Sequence, residues 1–157
     1  MWDRLSLAAR RAMDEARRTA EALHHDTVGT AHVLVAMASD PATAAALALA
    51  RQGAGPDRLR SKLQELEPGG PRRGAGKRAE DASFALDLRE AAGLALEEAE
   101  VDDRFDIAPV HIFLAVTADD DFGAVALLRA CGVDVERARR EVQGLARDEL
   151  QGSLPRE

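Results

Sequence analysis

A chain of 157 residues suits one domain, or two halves folded into one, and is long enough to bury a real core. Hydrophobic residues make up 46% and charged residues 31%, but aromatics only 3% with no Tyr, so Ala, Leu and Val must build that core. A net charge of −7 argues against a general nucleic-acid binder, and the single cysteine excludes an internal disulfide framework or a Cys-based zinc site.

The first helix is marked by Leu5, Ala9, Ala12, Ala16, Ala20 and Leu23 at steps of three and four, with Arg10, Arg11, Asp14, Arg17, Arg18 and Glu21 mostly on other faces. His24 and His25 end it and are expected to be exposed. The phrase VGTAHVLVAM, 28–37, predicts a short apolar second helix with Thr30 as N-cap. Asp40-Pro41 predicts the opening of a third, with Asp as cap and Pro in the first turn, and Gly53 closes it as a left-handed residue. A fourth helix is expected at about 56–67.

Residues 68–80 are rich in Gly, Pro and Arg, have no apolar period and predict a linker. Their GAGK run is not a phosphate-binding loop. Pro71 stands where the first Gly is needed, Arg78 replaces the following Ser or Thr, and no strand precedes it.

Beyond the linker the chain repeats itself. Shifting the sequence by the His32-to-His111 spacing aligns 5–66 with 84–145 without a gap. The identities are widely spread: Leu7/Leu86, Arg10/Arg89, Ala20/Ala99, Ala36/Ala115, Asp40/Asp119, Gly53/Gly132 and Gln64/Gln143 among them. With strong helix formers dominant and strand formers scarce, the expected fold is all-α. It has eight helices, as two pseudo-symmetric four-helix repeats packed into one domain: 1–67, then the linker, then 81–150 and a tail at 151–157.

Chemistry-bearing residues are sparse. His32 and His111 occupy equivalent positions, so they need not converge on one metal, and each is read as a hydrogen-bonded histidine near a helix start. The acidic runs LEEAEVDDRFD and ADDDFG lack the ligand spacing and turn Gly of a calcium loop. They are read as solvated helix ends, Asp119 to Asp121 facing the positive end of the next helix. Cys131, beside Gly132, is read as a buried structural thiol. No nucleophile, base and oxyanion donor assemble, so neither an enzyme, a cofactor nor a metal is expected. With no membrane-length apolar run and no signal-peptide pattern, the expected location is the cytoplasm.

The duplicated four-helix unit, the Gly-Thr-x-His entry to a short apolar helix and the opening MWDRLSLAARRAM together resemble the Clp N-terminal (Clp repeat) domain. That domain receives substrates and adaptors for ClpC- and ClpA-type AAA+ unfoldases, and the similarity runs from about Met1 to Leu150. Without a Walker loop or an ATPase module, the chain resembles a free-standing Clp repeat protein of actinobacterial type, a stand-alone modulator or decoy.

The resemblance implies peptides, degron-bearing Clp substrates, adaptors, a Clp ATPase or a cyclomarin-like cyclic-peptide antibiotic as partners, with neither nucleic acid nor membrane. It also implies where they bind. Trp2, Phe84 and Arg89 stand where the family keeps a hydrophobic patch with a basic residue, joined here by Leu5 and Arg10, although Gly93 replaces a typical Glu. The same aromatics could instead seal the core between repeats. The family's phosphoarginine pocket sets a helix N-terminus against the Glu of Gly-Thr-Glu-His. Here Ala31 and Val110 replace both Glu residues and Pro109 stands opposite Thr30, so a degenerate pocket with no ordinary phosphoarginine binding is expected. The alternative is a regulatory partner that docks on a Clp unfoldase or another protein and has no small-ligand pocket.

Overall fold

The computed structural model describes residues 2–69 and 83–153; most of the segment expected as a linker, 70–80, and the end of the tail, 154–157, lie outside the described residues. A 3-10 turn, Trp2–Arg4, leads into α1 (Leu7–Ala22), α2 (Thr30–Ala38), α3 (Ala44–Arg51) and α4 (Pro56–Leu66). The second set is α5 (Leu86–Val101), α6 (Pro109–Val116), α7 (Gly123–Ala130) and α8 (Val135–Ser153). Each helix of the second set begins 79 residues after its counterpart, so the duplication is structural. Even the left-handed residues repeat, Gly53 with Gly132 and His24 with Asp103. α8 outruns α4 and carries the helix into the stretch expected as tail.

Two helix starts differ from expectation. Thr30 is the first residue of α2 rather than its cap, because Gly29 is the cap and the side chain of His32 satisfies its N–H. Asp40 does not cap α3. Its carboxylate accepts from the Ala42 N–H in a tight turn, and the cap is Thr43, whose hydroxyl accepts from the Ala46 N–H at 3.1 Å. That hydroxyl also reaches the Met37 carbonyl at 3.0 Å, so one side chain ties the end of α2 to the start of α3.

The two repeats are interlocked. Besides its own neighbours, α3 packs on α8, α4 on α7, and α2 on both α6 and α7. At the C-terminus of α3, Gln52 exchanges two hydrogen bonds with the backbone of Asp134, at 3.1 and 2.9 Å. Short extended segments complete the exchange. β1 (Thr27–Val28) pairs in parallel with β2 (Ser83–Phe84), aligning Val28 with Phe84, and an isolated bridge aligns Leu5 with Ile107. Leu5 and Val28 belong to the first repeat, and Phe84 and Ile107 are their counterparts in the second. Each repeat therefore lends its entry segment to the other.

α2 and α6 are buried along their whole length and form the centre of the core. Phe113, Leu34, Met37, Leu49, Leu59 and Leu127 are among its largest fully buried side chains, and Cys131 lies in the same apolar cluster. Burial raises the thiol pKa of Cys131 above its ordinary value.

Candidate functional site

The two histidines are built into helix starts. In α2 the Nδ1 of His32 accepts from the Gly29 N–H at 2.9 Å, and in α6 the Nδ1 of His111 accepts from the Ala108 N–H at the same distance. Neutral rings then carry their proton on Nε2, and here the repeats diverge. His111 donates to the Asp102 carboxylate at 2.8 Å. His32 donates to Nδ1 of His25 at 2.7 Å, and His25 passes the polarity on by donating from Nε2 to the Glu67 carbonyl at 2.6 Å. His25, expected to be exposed, is thus half-buried and ties the end of α1 to the end of α4. Burial first, and the neighbouring His25 second, hold the His32 pKa down at about 4.

The other junction is made by Asp87, in the first turn of α5. Its carboxylate accepts from the Thr30 hydroxyl at 2.7 Å, the Gly123 N–H at 3.0 Å and the Thr30 N–H at 3.3 Å. The Thr30 oxygen in turn accepts from the Ala124 N–H at 2.9 Å. One N-terminal N–H group of α2 and one of α7 are thereby satisfied by a single acid from a third helix, and a second N–H of α7 by the Thr30 hydroxyl. Beside it opens a cavity of about 430 Å³, lined by His24, His25, Asp26, Ala31, Glu67 and Asp87 among others. Of the residues expected in a degenerate phosphoarginine pocket, Thr30 and Ala31 border this place, whereas Pro109 and Val110 are buried at the start of α6.

The expected peptide surface divides by burial. Leu5 is a core residue, with Ser6 and Arg4 hydrogen-bonded to Ile107 on either side of it. Phe84 is half-buried, its ring facing the Arg17 guanidinium at 5.2 Å. Arg10 and Arg89 are exposed, and Arg10 donates to the carbonyls of Leu5 and Asp3. The backbone of Trp2 lies in the 3-10 turn; its side chain lies outside the described ones.

Two apolar neighbours lie outside the expected set. Leu7 and Leu86, the first residues of α1 and α5, are 66% and 64% exposed. Each sits one turn before an exposed arginine, Arg10 or Arg89, at positions equivalent between the repeats. The identity Leu7/Leu86 is legible in the sequence; Leu7 falls off the buried face of α1 and Leu86 off that of α5. Asp87 carries no repeat signal, because its counterpart in the first repeat is Ala8. Among the described residues no cluster of His, Cys, Asp and Glu could hold a metal ion, and no helix is long and apolar enough to cross a membrane.

Fold and junctions define an all-α protein made of two interlocked four-helix repeats. The chain belongs to the Clp repeat (R) N-terminal domain family, which it matches over residues 4–100 and 83–156. Domains of this family are non-catalytic modules that bind the substrates and adaptors of Clp ATPases.

Solved structures share the fold at low identity. The N-terminal domain of the caseinolytic protease associated chaperone ClpD from Arabidopsis thaliana matches with a TM-score of 0.77 at 20% identity, over 94% of this chain and 97% of that one. The Hsp104 N-terminal domain from Candida albicans gives 0.70 at 15%, over 96% and 93%. The N-domain of ClpV from Vibrio cholerae gives 0.66 at 17%, over 88% and 82%.

Proposed function

We infer that this chain receives apolar peptide segments of Clp substrates or adaptors on the surface formed by the entry segments and the first turns of α1 and α5. The observation that carries the reading is the symmetric pair of exposed leucines, each followed one turn later by an exposed arginine. A large aliphatic side chain left in water at a helix start gains about 2 kcal/mol when a partner covers it. The guanidinium beside it suits a carboxylate or a peptide carbonyl. Phe84, two residues before Leu86, would add aromatic contact area. Cyclic peptides of the same apolar character are the expected competitors.

The function is binding without catalysis. Phosphoarginine is not the expected cargo, since Ala31 and Val110 offer its guanidinium no carboxylate.

Calorimetry with a short peptide of Leu, Phe and Glu tests the reading, with a cyclomarin-like macrocycle and free phosphoarginine in parallel. Binding of the first two, weakened roughly tenfold by Leu86→Glu or Phe84→Ala, is the expected result. Unchanged affinity in both variants, or tight phosphoarginine binding, would contradict it.

A further inference from the structure

We propose that Asp87 is a built-in anion, whose carboxylate fills the place where the N-termini of α2 and α7 converge, closes it to outside anions and fastens one repeat to the other. The three helices meeting there come from both halves, α2 from the first and α5 and α7 from the second. Each helix start presents unpaired N–H groups and the positive end of its dipole, so two of them side by side form a strong anion-attracting position. In this chain that position is taken. Three donors reach the carboxylate, and a fourth, the Ala124 N–H, is passed through the fully buried hydroxyl of Thr30.

Two glycines flank the acid. A Cβ on Gly29 would lie 3.3 Å from one carboxylate oxygen, and a Cβ on Gly123 would lie 3.4 Å from the other. A side chain at Gly29 would press on the acid by a few tenths of an ångström, whereas one at Gly123 would meet it in ordinary van der Waals contact. The cavity alongside adds Asp26 and Glu67, so an arriving anion meets further negative charge there.

The pseudo-dyad generates no second copy of this clasp. The counterpart of Asp87 is Ala8, that of Gly123 is Ala44, and that of Thr30 is Pro109, which has neither hydroxyl nor N–H. The two helix starts related to α2 and α7 therefore lack both the acid and its principal donor. Asp87 breaks the symmetry of the duplicated fold at one place and decides what that place accepts. This inference is independent of the peptide-binding reading and would survive its failure.

The test is rescue by an added anion. Thermal unfolding of the wild type, Asp87→Ala and Asp87→Asn is followed in chloride, acetate and inorganic phosphate at equal ionic strength. Asp87→Ala should unfold at lower temperature than the wild type. Acetate and phosphate should raise its midpoint by about 3 °C or more beyond their effect on the wild type. Asp87→Asn, which keeps the shape and removes the charge, should lose stability without rescue. An Asp87→Ala midpoint that responds to the three salts just as the wild type does would overturn the proposal. Amide-resolved titration of the wild type with inorganic phosphate decides the matter if Asp87→Ala does not fold. Unmoved resonances of Thr30, Gly123 and Ala124 are expected, and saturable shifts at those amides would refute the closure.

Discussion

Acidification should weaken this fold through one ring. His32 is 4% exposed, its Nδ1 is committed to the Gly29 N–H, and its Nε2 proton is committed to His25. Protonation would add a hydrogen to Nδ1, break the cap of α2 and place a charge in an apolar interior. The pKa accordingly falls from 6.5 to about 4. The unfolded chain takes up this proton below about pH 6.5, whereas the folded chain resists until about pH 4. Stability from this group is therefore fully present above pH 6.5 and is lost as the pH falls to about 4. Each pH unit of that interval is worth about 1.4 kcal/mol, so the whole of it carries about 3 kcal/mol. Urea unfolding at steps between about pH 7 and pH 4 measures the loss. His32→Gln should start about 1–2 kcal/mol less stable, for the lost cap and relay, but show a shallower decline. Parallel pH curves for the two proteins would refute the reasoning.

Other expectations follow from single features. Gly132 has φ 75° and nothing within 4 Å of the Cβ it lacks, so Gly132→Ala should cost about 1–2 kcal/mol of denaturant stability for the left-handed backbone alone. Gly53→Ala, at φ 74°, should match it. Phe113→Ala should cost about 3–5 kcal/mol because the ring is fully buried in the core. Phe105→Ala, at a 70% exposed residue stacked under Arg4, should cost about 1 kcal/mol or less in the same assay. Cys131, 2% exposed with its thiol pKa raised by burial, should react slowly with a thiol reagent until urea unfolds the chain. Rapid native labelling would contradict that placement.

Much of this architecture is legible in the letters. The eight helices follow from apolar spacing, and their pairing into repeats follows from identities as far apart as Leu7/Leu86 and Gln64/Gln143. Gly53 and Gly132 mark helix ends because left-handed backbone selects glycine. The exchange of entry segments is not legible, because pairings of one or two residues, Leu5 with Ile107 and Val28 with Phe84, have no room for a period. Asp40-Pro41 misleads about α3, since the same residues that cap helices also make tight turns, and only packing shows Thr43 bridging to Met37. Asp87 escapes for a different reason. Repeat identities mark what both halves share, whereas this acid is present in one half only.

Amide-resolved titration with the Leu, Phe and Glu peptide tests the binding surface at the first turns of α1 and α5 most directly. Saturable shifts gathered at residues 5–10 and 84–90 are the predicted result. Shifts gathered instead along the apolar groove of Leu47, Pro56 and Leu145, or no shifts at saturating peptide, would contradict it.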